Sequence, residues 1–203
     1  LILLAERTGL INELSLWVID QACLAAAQLN RQGYREHTIS VNLSAKNLAI
    51  PKLVEKVENT ILKHGITADQ LKFELTEFAL IKNHDEMVSF ISELNKLGSK
   101  VVLDDFGTGY SSLNYLVNYS FSTIKVDKCF ILDLVDNTTN QVVVKTAIDM
   151  AHNLDMNITI EGVENQATEK MLIKMGADQG QGYYYSKALP INEYLSFIAS
   201  QFK

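Results

Sequence analysis

Short runs of β-branched and aliphatic residues alternate with longer amphipathic segments along almost the whole chain, and this alternation restricts the fold more than any other feature. The runs are HTISVNL (37–43), LKFELT (71–76), KVVLD (100–104), STIKV (122–126), NITIE (157–161) and GADQGQ (176–181). Before and between them, NELSLWVIDQACLAAAQLNRQ, PKLVEKVENTILKHG, DEMVSFISELNKLG and NQVVVKTAIDMAHNL place apolar residues near i, i+3, i+4 and i+7, the period of an amphipathic helix. Pro51 suits a first helical turn, and Gly65 and Gly98 suit C-terminal caps. Strands that alternate with helices pair in parallel through helical crossovers, because parallel neighbours cannot be joined by a tight hairpin. The predicted class is α/β. A closed (β/α)8 barrel usually takes ~250 residues and eight strands, so six strands in 203 residues resemble a TIM-like barrel without its first quarter. No GxGxxG or GxxxxGKS/T loop follows the first strand, which weakens the open, nucleotide-binding alternative.

Composition narrows the function. With 47% hydrophobic residues and only two prolines, residues 1–203 read as one globular domain with a substantial core. The net charge of −6, with no block of Lys or Arg, argues against a nucleic-acid polymer as partner, since backbone binding needs a basic face. An anionic small molecule would need cations to be received by such a protein. No stretch approaches the ~20 apolar residues of a membrane span. Cys23 and Cys129 lie in apolar contexts without CxxC spacing, which points to reduced thiols and a cytoplasmic setting. The first residue is Leu1, which suggests a piece of a longer polypeptide.

Each strand ends in polar residues: Asn42, Glu74, Asp104 with Asp105, Lys125, Glu161 and Gln181. Strand ends border solvent and are often polar for that reason alone. In a parallel barrel, however, all these ends lie on one face, where active sites are assembled. Carboxylates and an amide oxygen are hard donors suited to Mg2+ or Mn2+, and His37, His64, His84 and His152 fall in predicted loops or helices, away from this set. Clustered carboxylates raise one another's pKa unless cations keep them ionised. Consecutive strand residues point to opposite faces, so Asp104 is predicted as the last strand residue and Asp105 as the first of a loop freed by Gly107 and Gly109. Two cations ~3.5–4 Å apart there would clamp an in-line displacement at phosphorus.

These residues resemble the EAL domain family, cyclic di-GMP phosphodiesterases of bacterial signalling. The resemblance is carried, in family order, by LAERTGLI (4–11), VNLSAKNL (41–48), FELTE (73–77), VVLDDFGTGYSSL (101–113), IKVDKCFI (124–131), IEGVEN (160–165) and QGYYYSKAL (181–189). It implies a modified TIM barrel that opens cyclic di-GMP to linear pGpG with two Mg2+ or Mn2+ ions. By motif, Asn42, Glu74 and Asp104 resemble ligands of one metal, with Asp104 bridging to a second that Asp105 and Glu161 surround. Glu161 is also a general-base candidate. Lys125 resembles the lysine that orients the attacking water, Gln181 completes that hydrogen-bond set, and Asp105 and Gln181 border the substrate. Glu77 resembles the glutamate that orders the DFGTGYSS loop, against the alternative of a solvated carboxylate at a helix start. Tyr183, Tyr184 and Tyr185 read as core or rim aromatics.

Phe78, Ile160 and Ala188 depart from the family pattern without removing a donor. The family's E-A-L strand, with a metal-binding Glu and a substrate-contacting Arg, precedes LAERTGLI. The chain is therefore expected to lack two barrel strands, to hydrolyse little alone, and to self-associate through open sheet edges. The resemblance also implies a homodimer and linkage to sensory or GGDEF-type domains. A catalytically inactive EAL-type domain that binds cyclic di-GMP or a protein partner is the alternative.

Overall fold

Every predicted strand forms where its β-branched run lies. A computed structural model describes residues 2–82, 84–109 and 113–201, with strands β1 (Ile39–Leu43), β2 (Leu71–Thr76), β3 (Lys100–Phe106), β4 (Thr123–Val126), β5 (Asn157–Glu161) and β6 (Gln179–Gln181). The helices are α1 (Ile2–Thr8), α2 (Ile11–Arg31), α3 (Leu53–His64), α4 (Glu77–Lys82), α5 (His84–Leu97), α6 (Leu113–Asn118), α7 (Thr138–Asn153), α8 (Gln166–Met175) and α9 (Ile191–Gln201). The chain divides into two compact units, Leu1–Ser122 and Thr123–Lys203.

In the first unit β1, β2 and β3 run parallel in chain order. The register stacks Val41 on Phe73 on Val101, and Leu43 on Leu75 on Leu103, all buried. Side chains in register on parallel strands share a face, so these six make one apolar surface. Helix α2 packs on β1 and α5 on β3. Their buried stripes are Ile19, Cys23, Ala26 and Leu29 on α2, and Met87, Ile91 and Leu94 on α5. Truncating fully buried Phe73 to Ala in such a core costs ~3–5 kcal/mol.

The second unit repeats the logic with β4, β5 and β6, again parallel. Ile124, Val126, Ile158 and Ile160 form its buried face, and α7, which packs on β4 and β5, buries Val144, Ala147, Ile148 and Ala151. No helix among the described residues is long and apolar enough to cross a membrane.

Three local expectations change. Helix α3 starts at Leu53 behind Lys52, which takes a left-handed φ of 55°, and Pro51 sits in the preceding turn instead of the first helical one. The last strand shortens to three residues, because Gly176, with φ 92°, is spent capping α8. Strand β3 continues through Asp105 to Phe106. Cys23 is buried and Cys129 is exposed in a short 3-10 turn (Lys128–Phe130); both are free thiols.

Candidate active site

The polar residues at the strand ends follow from the same register that builds the core. In the first unit Asn42 pairs with Glu74, and Thr76 pairs with Asp104, so Asn42, Glu74 and Asp104 share the sheet face opposite the apolar surface. Glu74 and Asp104 are buried, at 6% and 8% exposure, while Asn42 is exposed. Buried carboxylates beside an amide, with no thiol or imidazole in the set, are the hard-oxygen chemistry that fits Mg2+ or Mn2+.

The Asp pair is turned by the backbone of Asp105 itself. Its φ is +55°, a left-handed conformation that Asp adopts more readily than most residues. The kink breaks the alternation of the strand, and a carboxylate oxygen of Asp104 and one of Asp105 come within 4.8 Å of each other. The Asp105 amide donates to Asp104 Oδ1 at 3.0 Å. The Asp105 carbonyl accepts from the Thr108 hydroxyl at 2.8 Å and from the Thr108 amide at 3.2 Å, closing the turn. Gly107, at φ 92°, takes the next left-handed position. Gly109 does not have a positive φ, and its backbone lies against the Glu77 carboxylate instead.

Glu77 opens α4 but is not solvated. It is 3% exposed, and its Oε2 accepts the Gly107 amide proton at 3.3 Å, a direct tie between the end of β2 and the turn after β3. Residues 110–112 of the DFGTGYSS stretch lie outside the described residues.

In the second unit Lys125 pairs in register with Thr159, and Glu161 with Gln181, so Lys125, Glu161 and Gln181 share one face. Lys125 is 6% exposed and its Nζ lies 2.6 Å from Glu161 Oε1. A buried lysine requires such a partner, since an unpaired charge there would be costly. Asp127, two residues on, receives the Cys129 amide at 2.8 Å and starts the 3-10 turn. A hydrogen bond with the Cys129 side chain is the main reason its carboxyl is held below the usual range, with the backbone amides of Cys129 and Lys128 adding to it. Although Cys129 is largely exposed, partial desolvation, with Asp127 beside it, pushes its thiol up to about 11.

The three tyrosines separate. Tyr183 is 68% exposed with Lys187 Nζ 5.5 Å from its ring centroid. Tyr185 instead lays its hydroxyl over Gly180. Burial first, then Glu169, raises the pKa of Tyr185.

Sequence reasoning passed over Asn47. Only 1% exposed, it caps the turn after β1 by accepting the Ser44 amide at 2.9 Å and the Ser15 hydroxyl at 3.0 Å, and it donates to Asn12. Ser44 in turn donates to Glu6 at 2.6 Å. The Ser44-x-x-Asn47 spacing of a capping box was the available signal. Beside this turn the first unit contains a cavity of about 1230 Å3, bordered by Asn42, Ser44, Thr76 and Phe78.

The sequence matches the model of the EAL domain over residues 1–188. It is 34% identical over 196 residues to MucR of Pseudomonas aeruginosa, a bifunctional diguanylate cyclase/cyclic di-GMP phosphodiesterase, covering 97% of this chain and 29% of MucR. It is also 34% identical over 195 residues to the cyclic di-GMP phosphodiesterase NbdA of the same organism, covering 96% of this chain and 25% of NbdA. The chain thus spans less than a third of the length of either relative. The structure aligns with the MucR phosphodiesterase in its cyclic di-GMP complex at a TM-score of 0.91 and 33% identity, over 96% of this chain and 78% of that one. With the EAL domain of Mycobacterium smegmatis DcpA the TM-score is 0.88 at 27% identity, over 94% and 86% of the two chains. A manganese/cyclic di-GMP complex of Klebsiella pneumoniae BlrP1 aligns at 0.80 with 28% identity, over 87% and 44%. The fold is therefore the α/β barrel type anticipated from the strand alternation, and the chain is a member of the EAL domain family.

Proposed function

We propose that this chain is the phosphodiesterase domain of a protein that hydrolyses cyclic di-GMP to linear pGpG, with its two units acting as parts of one EAL domain. One observation carries the reading: each of Asn42, Glu74, Asp104, Lys125, Glu161 and Gln181 occupies the C-terminal part of its own strand, on the polar face of the strands of its own unit, and none is replaced by a residue unable to do its chemistry. Asn42, Glu74, Asp104, Asp105 and Glu161 are the groups that would hold two divalent cations. When bound, such ions supply Lewis-acid polarisation of the phosphodiester and acidification of a water.

The remaining chemistry belongs to the chain. The Lys125 ammonium, steadied by Glu161, orients the attacking water, and the Gln181 amide completes that hydrogen-bond set. The water oxygen ends on the 5′-phosphate, and the 3′-oxygen departs with a proton. Asp105 and Gln181 border the dinucleotide. Glu77 acts through the turn after β3, fixing Gly107 and with it the Asp pair. The homodimer and the link to GGDEF-type or sensory domains belong to the same reading, and MucR, which unites both activities in its name, supports the second.

The test is chromatographic assay of cyclic di-GMP conversion to pGpG by the full-length protein with Mg2+, with Mn2+ and with chelator. Metal-dependent appearance of pGpG is expected. Tight binding of cyclic di-GMP without turnover under all three conditions would replace this reading with that of a receptor.

A further inference from the structure

Beyond Glu161 and Gln181, β5 and β6 run into a close backbone approach. The amide of Val163 donates to the Gln181 carbonyl at 3.0 Å, and the Val163 carbonyl accepts the Tyr184 amide proton at 3.0 Å. Val163 is fully buried. Gly182 lies flat against this peptide: a Cβ there would stand 2.0 Å from the Val163 oxygen and 2.4 Å from its nitrogen. Both are backbone atoms flanked by hydrogen bonds, so they cannot swing aside as a side-chain tip could. On the other flank, Gly162 takes φ 79°, and a Cβ there would meet Lys128 Cβ at 2.5 Å and its Cα at 3.1 Å. Lys128 belongs to the turn that Asp127 starts, three residues beyond Lys125.

The exits of β4, β5 and β6 are thus pressed together with only hydrogen atoms between them. We propose that the contact of Gly182 with the Val163 peptide sets the positions of Glu161 and Gln181 relative to Lys125, making Gly182 a positioning residue of the reaction. The proposal rests on the phosphodiesterase reading for its kinetic consequence and on geometry for the rest. A methyl group at 182 forces the two exits apart by about 1 Å or more before contacts become tolerable, and a displacement of that size at a catalytic group costs ~100-fold in rate. Glu161 is two residues from Val163, and Gln181 is bonded to it, so both move.

Gly180 provides the internal contrast. A Cβ there would meet the Tyr185 hydroxyl at 2.8 Å, the tip of a side chain and not backbone. Removing that hydroxyl takes away the shortest contact and leaves ring carbons at 3.3 and 3.4 Å, which a side-chain ring can clear by shifting a few tenths of an ångström.

The experiment compares Gly182→Ala with the double variant Gly180→Ala/Tyr185→Phe in the full-length protein. Two readouts are taken: kcat and KM for cyclic di-GMP at saturating Mg2+, and the 15N signal of the Lys125 ammonium without metal or substrate, whose protection from exchange reports the ion pair with Glu161. For Gly182→Ala, kcat should fall about 100-fold with KM within about threefold, and the ammonium signal should be lost. The double variant should keep the signal and stay within about threefold of wild type in kcat. A folded Gly182→Ala protein with wild-type kcat and an intact signal overturns the proposal. If Gly182→Ala does not fold, an ester in place of the Val163 amide removes the donor of its hydrogen bond to Gln181 without adding bulk. Loss of the ammonium signal there supports the proposal, and its retention overturns it. A wild-type protein that leaves cyclic di-GMP intact refutes the phosphodiesterase reading, and the ammonium signal alone then decides the role of the contact.

Discussion

The turn after β3 and the turn after β5 are fastened in opposite ways. Beyond β3, a side chain from another element holds the backbone: Glu77 accepts the Gly107 amide proton, and Asp105 takes a left-handed conformation. Beyond β5, backbone holds backbone, through both hydrogen-bonding groups of Val163 and two glycines with no room for a methyl. The first arrangement can be released by losing one carboxylate. The second yields only to added bulk or to an altered main chain. The difference matches what each turn carries, since the first ends in a carboxylate pair that charge must organise and the second in a lysine–glutamate pair that already balances itself.

The largest expected effect comes from the charge-dependent side. Asp104→Asn keeps the shape and the Asp105 hydrogen bond but removes the negative charge, and should lower kcat by ~1000-fold or more. Turnover within tenfold of wild type would separate Asp104 from the metal set. On the self-balanced side, Lys125→Met keeps most of the side-chain volume and leaves Glu161 without its ammonium. A fall of ~100-fold in kcat is expected. If KM changed and kcat did not, Lys125 would be a binding group.

Glu77→Ala probes the fastening itself. It should raise the Mg2+ concentration needed for half-maximal rate by ~10–100-fold, with most of kcat recovered at saturating metal, because the carboxylate acts on the turn. An unchanged metal dependence would disconnect the turn from the ions. The smallest effect lies between two helices of the first unit, where Asp20 on α2 accepts from Lys63 Nζ at 2.7 Å and from His64 Nε2 at 2.9 Å at the end of α3. These hydrogen bonds, that from Lys63 first, hold its carboxyl below the usual range. A lowered carboxylate pKa stabilises the fold above the unfolded value of ~3.9 and ceases to do so as pH falls through the folded value. Asp20→Asn should therefore cost less than ~1 kcal/mol at pH 7, because the pair is partly exposed, and the difference from wild type should fade as pH falls below ~4.

The sequence disclosed the strands because their β-branched runs coincide with buried, in-register layers such as Leu43, Leu75 and Leu103. It disclosed the polar ends because the alternation that buries Leu75 turns Glu74 to the other face. What stayed hidden depends on contacts distant in sequence. Val163 and Gly182 are 19 positions apart, and no local pattern announces that one peptide fills the space a methyl would need at the other. The Glu77 tie to Gly107 spans 30 positions, and only the family resemblance drew attention to it. Pro51 shows the opposite error: a good local signal was displaced by two residues because Lys52 takes a left-handed conformation ahead of α3.

The left-handed backbone at Asp105 also bears on how this position can drift. Apart from Gly, Asn is the other common residue that accepts such a conformation, so a single change to Asn would silence the carboxylate while leaving the turn intact. Changes to β-branched residues would damage turn and chemistry together. The easiest way for a lineage to lose the charge at this position is therefore one that preserves its shape, and a descendant altered only in this way would still present the outline of an enzyme.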